Sequence, residues 1–295
     1  MKREPTIKTL GFFNVDKPPK VVSSAVVNKI KWLCGMPTGH MGTLDPLASG
    51  VLPVGVGNAT RLFNYFLEKR KIYLAEFTFG VDSDTLDSTG TLVYGGRVPT
   101  EREIEGVLSS LCGDVLQVPP KYSAKNVNGK RGYELARAGI DFELAPKKVQ
   151  IHSVKLLGKG ENENAFRFEI ECGGGTYIRS IARDIAHALD TKAVMSALRR
   201  VKSGVFSIEN AVPYEWFLRE DITPAELEEK IIPTDSVLPF ERLEVGERER
   251  EKLLFGQTVY TSSEDGTYKF YNADGSFYGL AEAKGKRVKL VTKLC

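Results

Sequence analysis

Residues 39–50 read GHMGTLDPLASG and place one carboxylate, that of Asp45, in a glycine-rich loop. Pro46 disfavours the helical backbone conformation at Asp45, and the glycines allow backbone angles that other residues resist. An isolated Asp-Pro pair most often marks a simple turn, but an acid held out on such a loop can meet a substrate. The loop therefore makes Asp45 a candidate nucleophile or charge stabiliser.

Regular patterns lie on both sides of this loop. After Ser23, apolar residues recur at positions 26, 30 and 33, which predicts a helix that begins near a serine cap and leads into the loop. Residues 73–80 alternate in character and predict a strand that starts at Tyr73.

Two further helices are predicted downstream. Thr100 and Glu103 form a capping-box pattern, which predicts a helix over residues 101–111. Residues 166–172 alternate strictly and run into three glycines, which indicates a strand, a turn and a helix with an apolar stripe from Ile178 onward. Arg179 is then expected near the N-terminus of that helix, beside the turn.

The remaining segments differ in composition. Residues 118–138 contain two prolines, five basic residues and two tyrosines without a sustained period, which predicts an exposed arm. After residue 239, short strand-like runs alternate with Asp-Gly and Lys-Gly turns, and this spacing predicts a small β-barrel.

The bulk properties indicate an ordinary globular protein. The 295 residues, 42% of them hydrophobic, suffice for a large domain and a small one. Neither an apolar leader nor a run of 18 apolar residues occurs, so we expect a soluble cytoplasmic protein. The net charge of +3 is too small to prove a nucleic-acid partner, because local charge clusters decide such binding.

Metal and disulfide sites are not expected. The sequence has only three histidines, and its four cysteines form no C-x-x-C pair: they are Cys34, Cys112, Cys172 and Cys295.

The 39–50 loop resembles the catalytic motif of the TruB-type pseudouridine synthases, approximately G-H-x-G-T/A-L-D-P-x-A-x-G-V-L-P, and matches it as far as Pro53. The resemblance continues in the family's order through NVDKP at 14–18, KIY at 71–73, KYSA at 121–124, GKR at 129–131, GTYIR at 175–179 and LRR at 198–200. It therefore covers nearly the whole chain.

The resemblance implies a mixed α/β (α+β) fold. The catalytic domain would occupy residues 1–238 and include the arm at 118–138, which would grip RNA. Residues 239–295 would form a PUA-like RNA-binding β-barrel, whose own motif is much weaker. The implied reaction converts uridine to pseudouridine at position 55 in the TΨC loop of transfer RNA, by base flipping and without cofactor or metal.

The resemblance also assigns roles to residues. Asp45 would be the catalytic acid, and Arg179 would keep it ionised and aim it through a charge-assisted contact. Tyr73 would stack on the uracil and take part in removing the C5 proton, although a phenol is a poor base at neutral pH. Tyr177 and Leu198 would line the uridine pocket.

The remaining roles concern RNA. His40 would occupy the space that flipped nucleotides leave and would contact RNA. Phosphate contacts are expected from basic residues spread over the chain: Lys17, Arg61, Lys121, Lys125, Lys130, Arg131, Arg199 and Arg200.

The expected partner is the T-arm of transfer RNA, with no membrane and no metal. The basic arm separates this chain from the family's guide-RNA relatives, which lack it, so no guide RNA is expected. We expect a monomer.

Other functions were weighed on the same residues. A purely RNA-binding or chaperone role stays open, because the arm and the C-terminal module fit it. A glycosidase or nucleosidase would need a second acid, which the motifs do not nominate. Asp16, Asp82, Asp84 and Asp87 are rivals to Asp45 as the reactive acid, but residues 82–87 lie in a polar turn and are expected to be a solvated loop. The zinc-deaminase and phosphate-loop motifs are absent from the sequence.

Overall fold

A computed structural model of the protein describes residues 7–127 and 129–294. Cys295 lies outside the described residues. Within them, the α-helices are α1 (Ser23–Cys34), α2 (Phe63–Leu67), α3 (Glu101–Leu108), α4 (Gly132–Arg137), α5 (Ile178–Ala188), α6 (Pro224–Lys230) and α7 (Glu247–Leu254). Short 3-10 turns join several of them to the strands, at 57–62, 109–111, 208–210, 214–218 and 234–237.

The strands of the first half are β1 (Gly11–Lys17), β2 (Thr38–His40), β3 (Ser49–Val56), β4 (Lys71–Phe79), β5 (Val81–Ser83), β6 (Leu92–Tyr94), β7 (Gly113–Gln117), β8 (Asn126–Val127) and β9 (Lys130–Arg131). Those of the second half are β10 (Lys147–Lys159), β11 (Ala165–Cys172), β12 (Ala193–Ser203), β13 (Phe206–Ser207), β14 (Val212–Pro213), β15 (Ile232–Pro233), β16 (Val259–Tyr260), β17 (Gly266–Tyr271), β18 (Phe277–Lys284) and β19 (Arg287–Lys293).

One large sheet organises the described chain. Eleven strands form it, in the order β14-β1-β3-β12-β4-β11-β10-β7, with β2, β13 and β15 attached to the sides of β3, β12 and β1. The β3–β12 and β1–β14 pairs are parallel and the others are antiparallel, so the sheet is mixed. The predicted mixed α/β fold is confirmed.

Helices including α1, α3 and α5 pack into the core on one face of this sheet. The apolar residues that predicted α1 are buried there, and the stripe that starts at Ile178 on α5 is buried in the same core. The strands β4 and β11 contribute Phe77 and Phe168, whose ring centroids lie 4.8 Å apart. Burial of these large side chains is the main source of the fold's stability.

The predicted helices are present, with two local differences. The helix α3 has the expected Thr100–Glu103 capping box, and its last predicted turn, 109–111, is a 3-10 turn. The cap of α1 is Val22, which makes no side-chain capping bond. Ser23 is instead the first residue of α1, and its hydroxyl has another use, described below.

The C-terminal module contains the predicted strands but is not closed. Its four strands form one antiparallel sheet in the order β16-β19-β18-β17, and β16 has only two residues. In the described residues the outer strands do not pair with each other, so the predicted barrel closure is not present. Periodic short strands indicate a small antiparallel sheet, but closure depends on strand tilt and length, which the pattern does not carry. The helix α7 was not predicted, because only Leu253 of its polar sequence is buried.

The C-terminal sheet packs against the large sheet. Leu280 and Leu294 belong to the same buried apolar cluster as Met41, in the 39–50 loop, and Val51, on its return strand β3. Arg61 adds a hydrogen bond from its guanidinium to the Lys293 carbonyl, at 2.7 Å. The module is therefore packed directly behind the loop that carries Asp45.

Candidate active site

Four neighbouring strands bring the site together. Gly50 on β3 pairs with Lys17 on β1 and with Arg200 on β12, and Arg200 pairs with Tyr73 on β4. Gly50 has a φ of +98°, and a Cβ there would lie 2.2 Å from the Arg200 carbonyl oxygen, so only glycine fits this return of the loop. Lys17, Gly50, Arg200 and Tyr73 thus form one row across four strands, and the loop with Asp45 rejoins the sheet at this row.

Asp45 is held in the loop by its neighbours. The Ser23 hydroxyl donates to the Leu44 carbonyl at 2.8 Å and accepts from the Leu44 amide at 3.0 Å, which fixes the residue before Asp45. The Asp45 carbonyl accepts from the Ala48 amide at 3.0 Å, closing a tight turn. The Asp45 side chain remains 36% exposed, so a substrate can reach it.

Arg179 lies against Asp45, as expected. Its Nε is 2.9 Å from Asp45 Oδ2, and the Arg179 side chain is only 6% exposed. Nε makes no hydrogen bond, so the contact is an ion pair through one nitrogen. The two terminal nitrogens donate elsewhere, to the carbonyls of Thr85 at 2.9 Å and Tyr122 at 3.0 Å. Arg179 is therefore fixed on three sides before any substrate arrives.

Asp87 is a second carboxylate beside Arg179. Its Oδ2 lies 3.7 Å from Arg179 Nε, and the side chain is buried. Its other oxygen accepts from the hydroxyls of Thr85 and Thr89. The expectation of a solvated 82–87 loop was wrong for Asp87, because its backbone pairs with Met195 on β12, a strand from a distant part of the chain. Local composition carried no signal for this burial.

Tyr73 and Tyr177 lie close enough to Asp45 for its charge to affect the pKa of their phenols. Burial raises the pKa of both phenols, and the Asp45 charge raises it further. The guanidinium of Arg200 opposes this rise at Tyr73, and that of Arg179 opposes it at Tyr177. Both phenols therefore keep their protons at neutral pH.

Leu198 and His40 lie on strands next to these groups. Leu198 on β12 pairs with Ala75 on β4 and is buried in the main core. His40 on β2 pairs with Val54 on β3, and its Nδ1 is buried without a hydrogen-bond partner. Burial lowers the pKa of His40, and the charge on Arg200 lowers it further, so the ring is neutral at pH 7.

Two predicted phosphate contacts are buried and were wrong. Lys17 is 0% exposed, and its Nζ donates to the carbonyls of Pro18 at 2.9 Å and Val21 at 2.6 Å. Burial lowers the pKa of Lys17 to about 8, although the nearby Asp45 charge raises it. Arg200 is 1% exposed and donates to carbonyls of the loop. Neither side chain can reach a phosphate from these positions.

Arg200 instead holds both ends of the Asp45 loop. Its Nε donates to the Val51 carbonyl at 2.7 Å, and Nη2 donates to the Gly42 carbonyl at 3.0 Å. Its neighbour Arg199 pairs with Asp16 at 2.8 Å, so this rival acid already has a cationic partner. Both arginines were assigned the same role, because no strand was predicted at these positions and the alternation of adjacent residues between the two faces of a strand could not be applied.

The other predicted phosphate contacts are at or near the surface. Lys130 and Arg131 are exposed on the short hairpin β8–β9 within the arm, and Lys125 is half-buried at its base. Lys121 is exposed and pairs with Asp141 at 2.6 Å, a contact that a phosphate could replace because exposed pairs contribute little. Arg61 is exposed where the two sheets meet.

The arm itself is partly anchored. Pro119, Pro120, Ser123 and Leu135 are buried, whereas the hairpin between them is exposed. In the predicted exposed arm, the β8–β9 hairpin is therefore exposed, whereas the residues on either side of it are packed against the rest of the protein.

Comparisons with known proteins agree with this geometry. The N-terminal domain model of the TruB family pseudouridylate synthases matches residues 32–178, and a tRNA pseudouridylate synthase B C-terminal domain model matches residues 179–239. A tRNA pseudouridine synthase B of Caldanaerobacter subterraneus is 38% identical over 284 residues, covering 95% of this chain and 97% of that protein.

The chain belongs to the TruB family of pseudouridylate synthases.

Other TruB family members match over similar lengths. The tRNA pseudouridine synthase B of Clostridium acetobutylicum is 36% identical and covers 96% of this chain and 99% of its own length. That of Aquifex aeolicus is 37% identical and covers 93% of this chain and 96% of its own length. As a TruB family member the protein is an enzyme that isomerises uridine to pseudouridine.

Solved structures support the fold alone. The Cbf5–Nop10–Gar1 complex contains a chain with a TM-score of 0.69 and 24% identity, covering 97% of this chain and 85% of that chain. An H/ACA RNP bound to a substrate RNA contains one with a TM-score of 0.68 and 22% identity, covering 97% and 85%.

Two further properties concern the part of the chain that the structure describes. No helix there is long and apolar enough to cross a membrane. Over residues 7–127 and 129–294, no group of three or more His, Cys, Asp or Glu side chains is placed to hold a metal ion.

Proposed function

We propose that this protein converts the uridine at position 55 in the TΨC loop of transfer RNA to pseudouridine. The TruB family supplies the reaction, and the relatives named tRNA pseudouridine synthase B, at 36–38% identity over nearly the whole chain, support transfer RNA as the substrate. The observation that carries the proposal is the partly exposed Asp45 carboxylate paired with the buried Arg179 guanidinium.

Pseudouridine formation is an isomerisation. The bond between uracil N1 and the ribose C1′ breaks, the base turns, and a bond forms between C5 and C1′. A proton leaves C5 and a proton is gained at N1, so no oxidant or other reactant is needed. Asp45 acts as a nucleophile or as a stabiliser of the cationic sugar, and both routes use the same placement of its carboxylate.

The groups around Asp45 have separate tasks in this proposal. Arg179 orients the carboxylate, because its other nitrogens are fixed on Thr85 and Tyr122. Tyr73 stacks on the flipped uracil, and Tyr177 and Leu198 form walls of the uridine pocket. The raised pKa of Tyr73 favours its neutral form, so stacking and hydrogen bonding are the better-supported roles of this ring.

Base flipping leaves a gap in the RNA loop and costs a few kcal/mol. His40 on β2 pairs with Val54 on β3, at the start of the loop that carries Asp45. Its neutral ring suits a role in filling that gap without a charge.

The surface around the site is suited to RNA. Lys121, Lys125, Lys130 and Arg131 on the arm, with Arg61 where the sheets meet, contact phosphates. We propose residues 1–238 as the catalytic domain and residues 239–295 as a PUA-like RNA-binding domain. The enzyme then acts alone, without a guide RNA.

Tritium release tests the proposal. A transfer RNA transcript labelled with tritium at uracil C5 is incubated with the protein, with Asp45→Asn, and with a transcript that has cytidine at position 55. We expect release that requires both Asp45 and that uridine, while Asp45→Asn still binds the transcript. Tight binding without release by the unchanged protein would refute the proposal for this RNA and would favour the RNA-chaperone alternative.

A further inference from the structure

Gln117 makes an unusual pair of hydrogen bonds with the main chain of Tyr177. Its Nε2 donates to the Tyr177 carbonyl at 3.1 Å, and its Oε1 accepts from the Tyr177 amide at 2.8 Å. Gln117 is 2% exposed and is the last residue of the edge strand β7. The side chain thus reproduces the two bonds that a neighbouring strand would make.

Tyr177 needs such a partner because of its place in the chain. It is the residue that caps α5, with extended backbone angles, and its amide has no acceptor within that helix. Its carbonyl begins the helix by accepting from the amides of Ser180 and Ile181. The Gln117 amide therefore fixes the point at which the glycine turn becomes a helix.

The groups on this first turn face the reactive carboxylate. The charge of Asp45 raises the pKa of Tyr177, and Arg179, two residues later, forms the ion pair with Asp45. A shift in the start of α5 would move both side chains relative to Asp45. Effects of this kind are large in enzymes, because small displacements of catalytic groups slow reactions strongly.

The same contacts continue into the base of the arm. The Val118 carbonyl accepts from the Ser180 hydroxyl at 3.0 Å and from Arg183 at 3.1 Å, and the Tyr122 carbonyl accepts from Arg179. Gln117 immediately precedes these residues. The start of α5 and the base of the arm are thus joined at one place. Gln117 and Ser180 are both buried there, and Gln117 is the one whose side chain bonds both main-chain groups of Tyr177.

We propose that Gln117 is a positioning residue for pseudouridine formation, holding Tyr177 and through it Arg179 in register with Asp45. This inference rests on the roles given to Tyr177 and Arg179 under the proposed function. It assigns Gln117 to the rate of the bound complex rather than to RNA binding.

The substitution Gln117→Glu tests the proposal, because it keeps the shape of the side chain and makes its hydrogen bonding depend on pH. The ionised carboxylate can accept from the Tyr177 amide, but its second oxygen then faces the Tyr177 carbonyl, acceptor against acceptor. The protonated acid donates to that carbonyl and restores both bonds. Burial favours the protonated form and raises the pKa of such an acid, so the switch falls within an accessible pH range.

The measurement is the single-turnover rate of tritium release at saturating enzyme, with half-saturation concentrations, for Gln117→Glu and the unchanged protein between about pH 5.5 and about pH 8.5. Taking the ratio of the two rates cancels the pH dependence that they share. We expect Gln117→Glu to be slower by about tenfold or more at the high end and to approach the unchanged protein at the low end, with similar half-saturation.

Two variants serve as controls. Gln117→Met removes both hydrogen bonds at similar size, and we expect a deficit in rate that does not vary with pH. Gln150→Glu adds a carboxylate at an exposed position on the neighbouring strand β10. The Gln150 carbonyl accepts from the Gly173 amide of the glycine turn, and the substitution keeps this main-chain bond, so the variant should behave like the unchanged protein at every pH.

A rate ratio for Gln117→Glu that stays constant with pH would overturn the proposal. So would a variant whose half-saturation concentration rises while its single-turnover rate at saturation is unchanged. Melting temperatures are measured in parallel. Loss of folded protein that matches the loss of activity in both Gln117 variants would assign Gln117 to overall stability and would likewise overturn it. If the unchanged protein releases no tritium from the transcript, the proposed function fails instead, and the two failures are distinguishable.

Discussion

The substitution Arg200→Met tests whether the Asp45 loop depends on one buried arginine. Arg200 is 1% exposed, and its guanidinium donates to the carbonyls of Val51 at 2.7 Å and Gly42 at 3.0 Å. A third contact, with the Thr43 carbonyl, is 3.5 Å long and counts for little. These carbonyls lie at the two ends of the loop, so methionine would leave both ends without their donor.

The size of the effect follows from these bonds. A hydrogen bond from a charged donor contributes about 1.5–3 kcal/mol, so two well-made bonds contribute about 3–6 kcal/mol to the free energy of unfolding. Methionine avoids the cost of burying a charge, which offsets part of the loss. We therefore expect a net loss of about 2–4 kcal/mol in unfolding free energy.

The loss should also appear in catalysis. A displacement of the Asp45 carboxylate of about 1 Å costs about 100-fold in rate, so we expect at least that fall in single-turnover tritium release. Arg200→Lys keeps a charge but lacks the planar guanidinium that donates to both carbonyls. Its unfolding free energy and its rate should therefore lie between those of the unchanged protein and Arg200→Met. Urea unfolding gives the stability of each variant, and tritium release gives its rate.

Arg199→Met is the matched control for stability, since its neighbouring side chain makes a partly exposed ion pair with Asp16. We expect it to lose at most about 1 kcal/mol of unfolding free energy. An Arg200→Met protein that unfolds like Arg199→Met and keeps its turnover would show that the loop holds its shape without this arginine, and the reasoning would be refuted.

Two other predictions concern Tyr73 and Lys71. Tyr73→Phe keeps the stacking ring and removes the hydroxyl. If the phenol assists in removing the C5 proton, single-turnover tritium release should fall about 100-fold or more, while the dissociation constant for the transcript stays close to its original value. An unchanged rate would limit Tyr73 to stacking. Lys71 is buried, donates to the carbonyls of Leu67 and Lys69, and has its pKa lowered by burial from 10.5 to about 8. The unfolded chain therefore binds more protons than the folded one between those pH values, and the unchanged protein should gain unfolding free energy relative to Lys71→Met as the pH rises through this window. Urea unfolding of both proteins at the two ends of the window measures the difference, and a difference that does not move with pH would contradict the assigned pKa shift.

Much of the site could be read from local sequence. The glycines and the proline around Asp45 mark a loop that displays an acid, and the helical stripe after the 173–175 turn places Arg179 at a helix start. These features depend on backbone preferences and on periodicity, which neighbouring residues determine. Their pairing in the structure, at 2.9 Å, was implied by the family resemblance and not by these local features.

Other parts could not be read in this way. Nothing in the local composition separates the buried Lys17 and Arg200 from exposed lysines and arginines, because burial depends on strands that come from distant parts of the chain. The polar 82–87 sequence likewise predicts a solvated loop, whereas the burial of Asp87 depends on its pairing with Met195 on a distant strand. The position of Ser23 predicts a helix cap, whereas its hydroxyl binds the main chain of Leu44 across the loop.

The sequence by itself determined the class of the fold, the loop that carries Asp45, the helix that presents Arg179 and the family to which both belong. Only the tertiary structure decided that Lys17, Gly50, Arg200 and Tyr73 form one row across four strands, and that the C-terminal strands remain an open sheet. The physical reason is the range of the interactions. Turns, caps and periodic faces are fixed within a few residues, whereas strand register and the burial of charge depend on pairings between segments more than a hundred residues apart, such as Gly50 with Arg200.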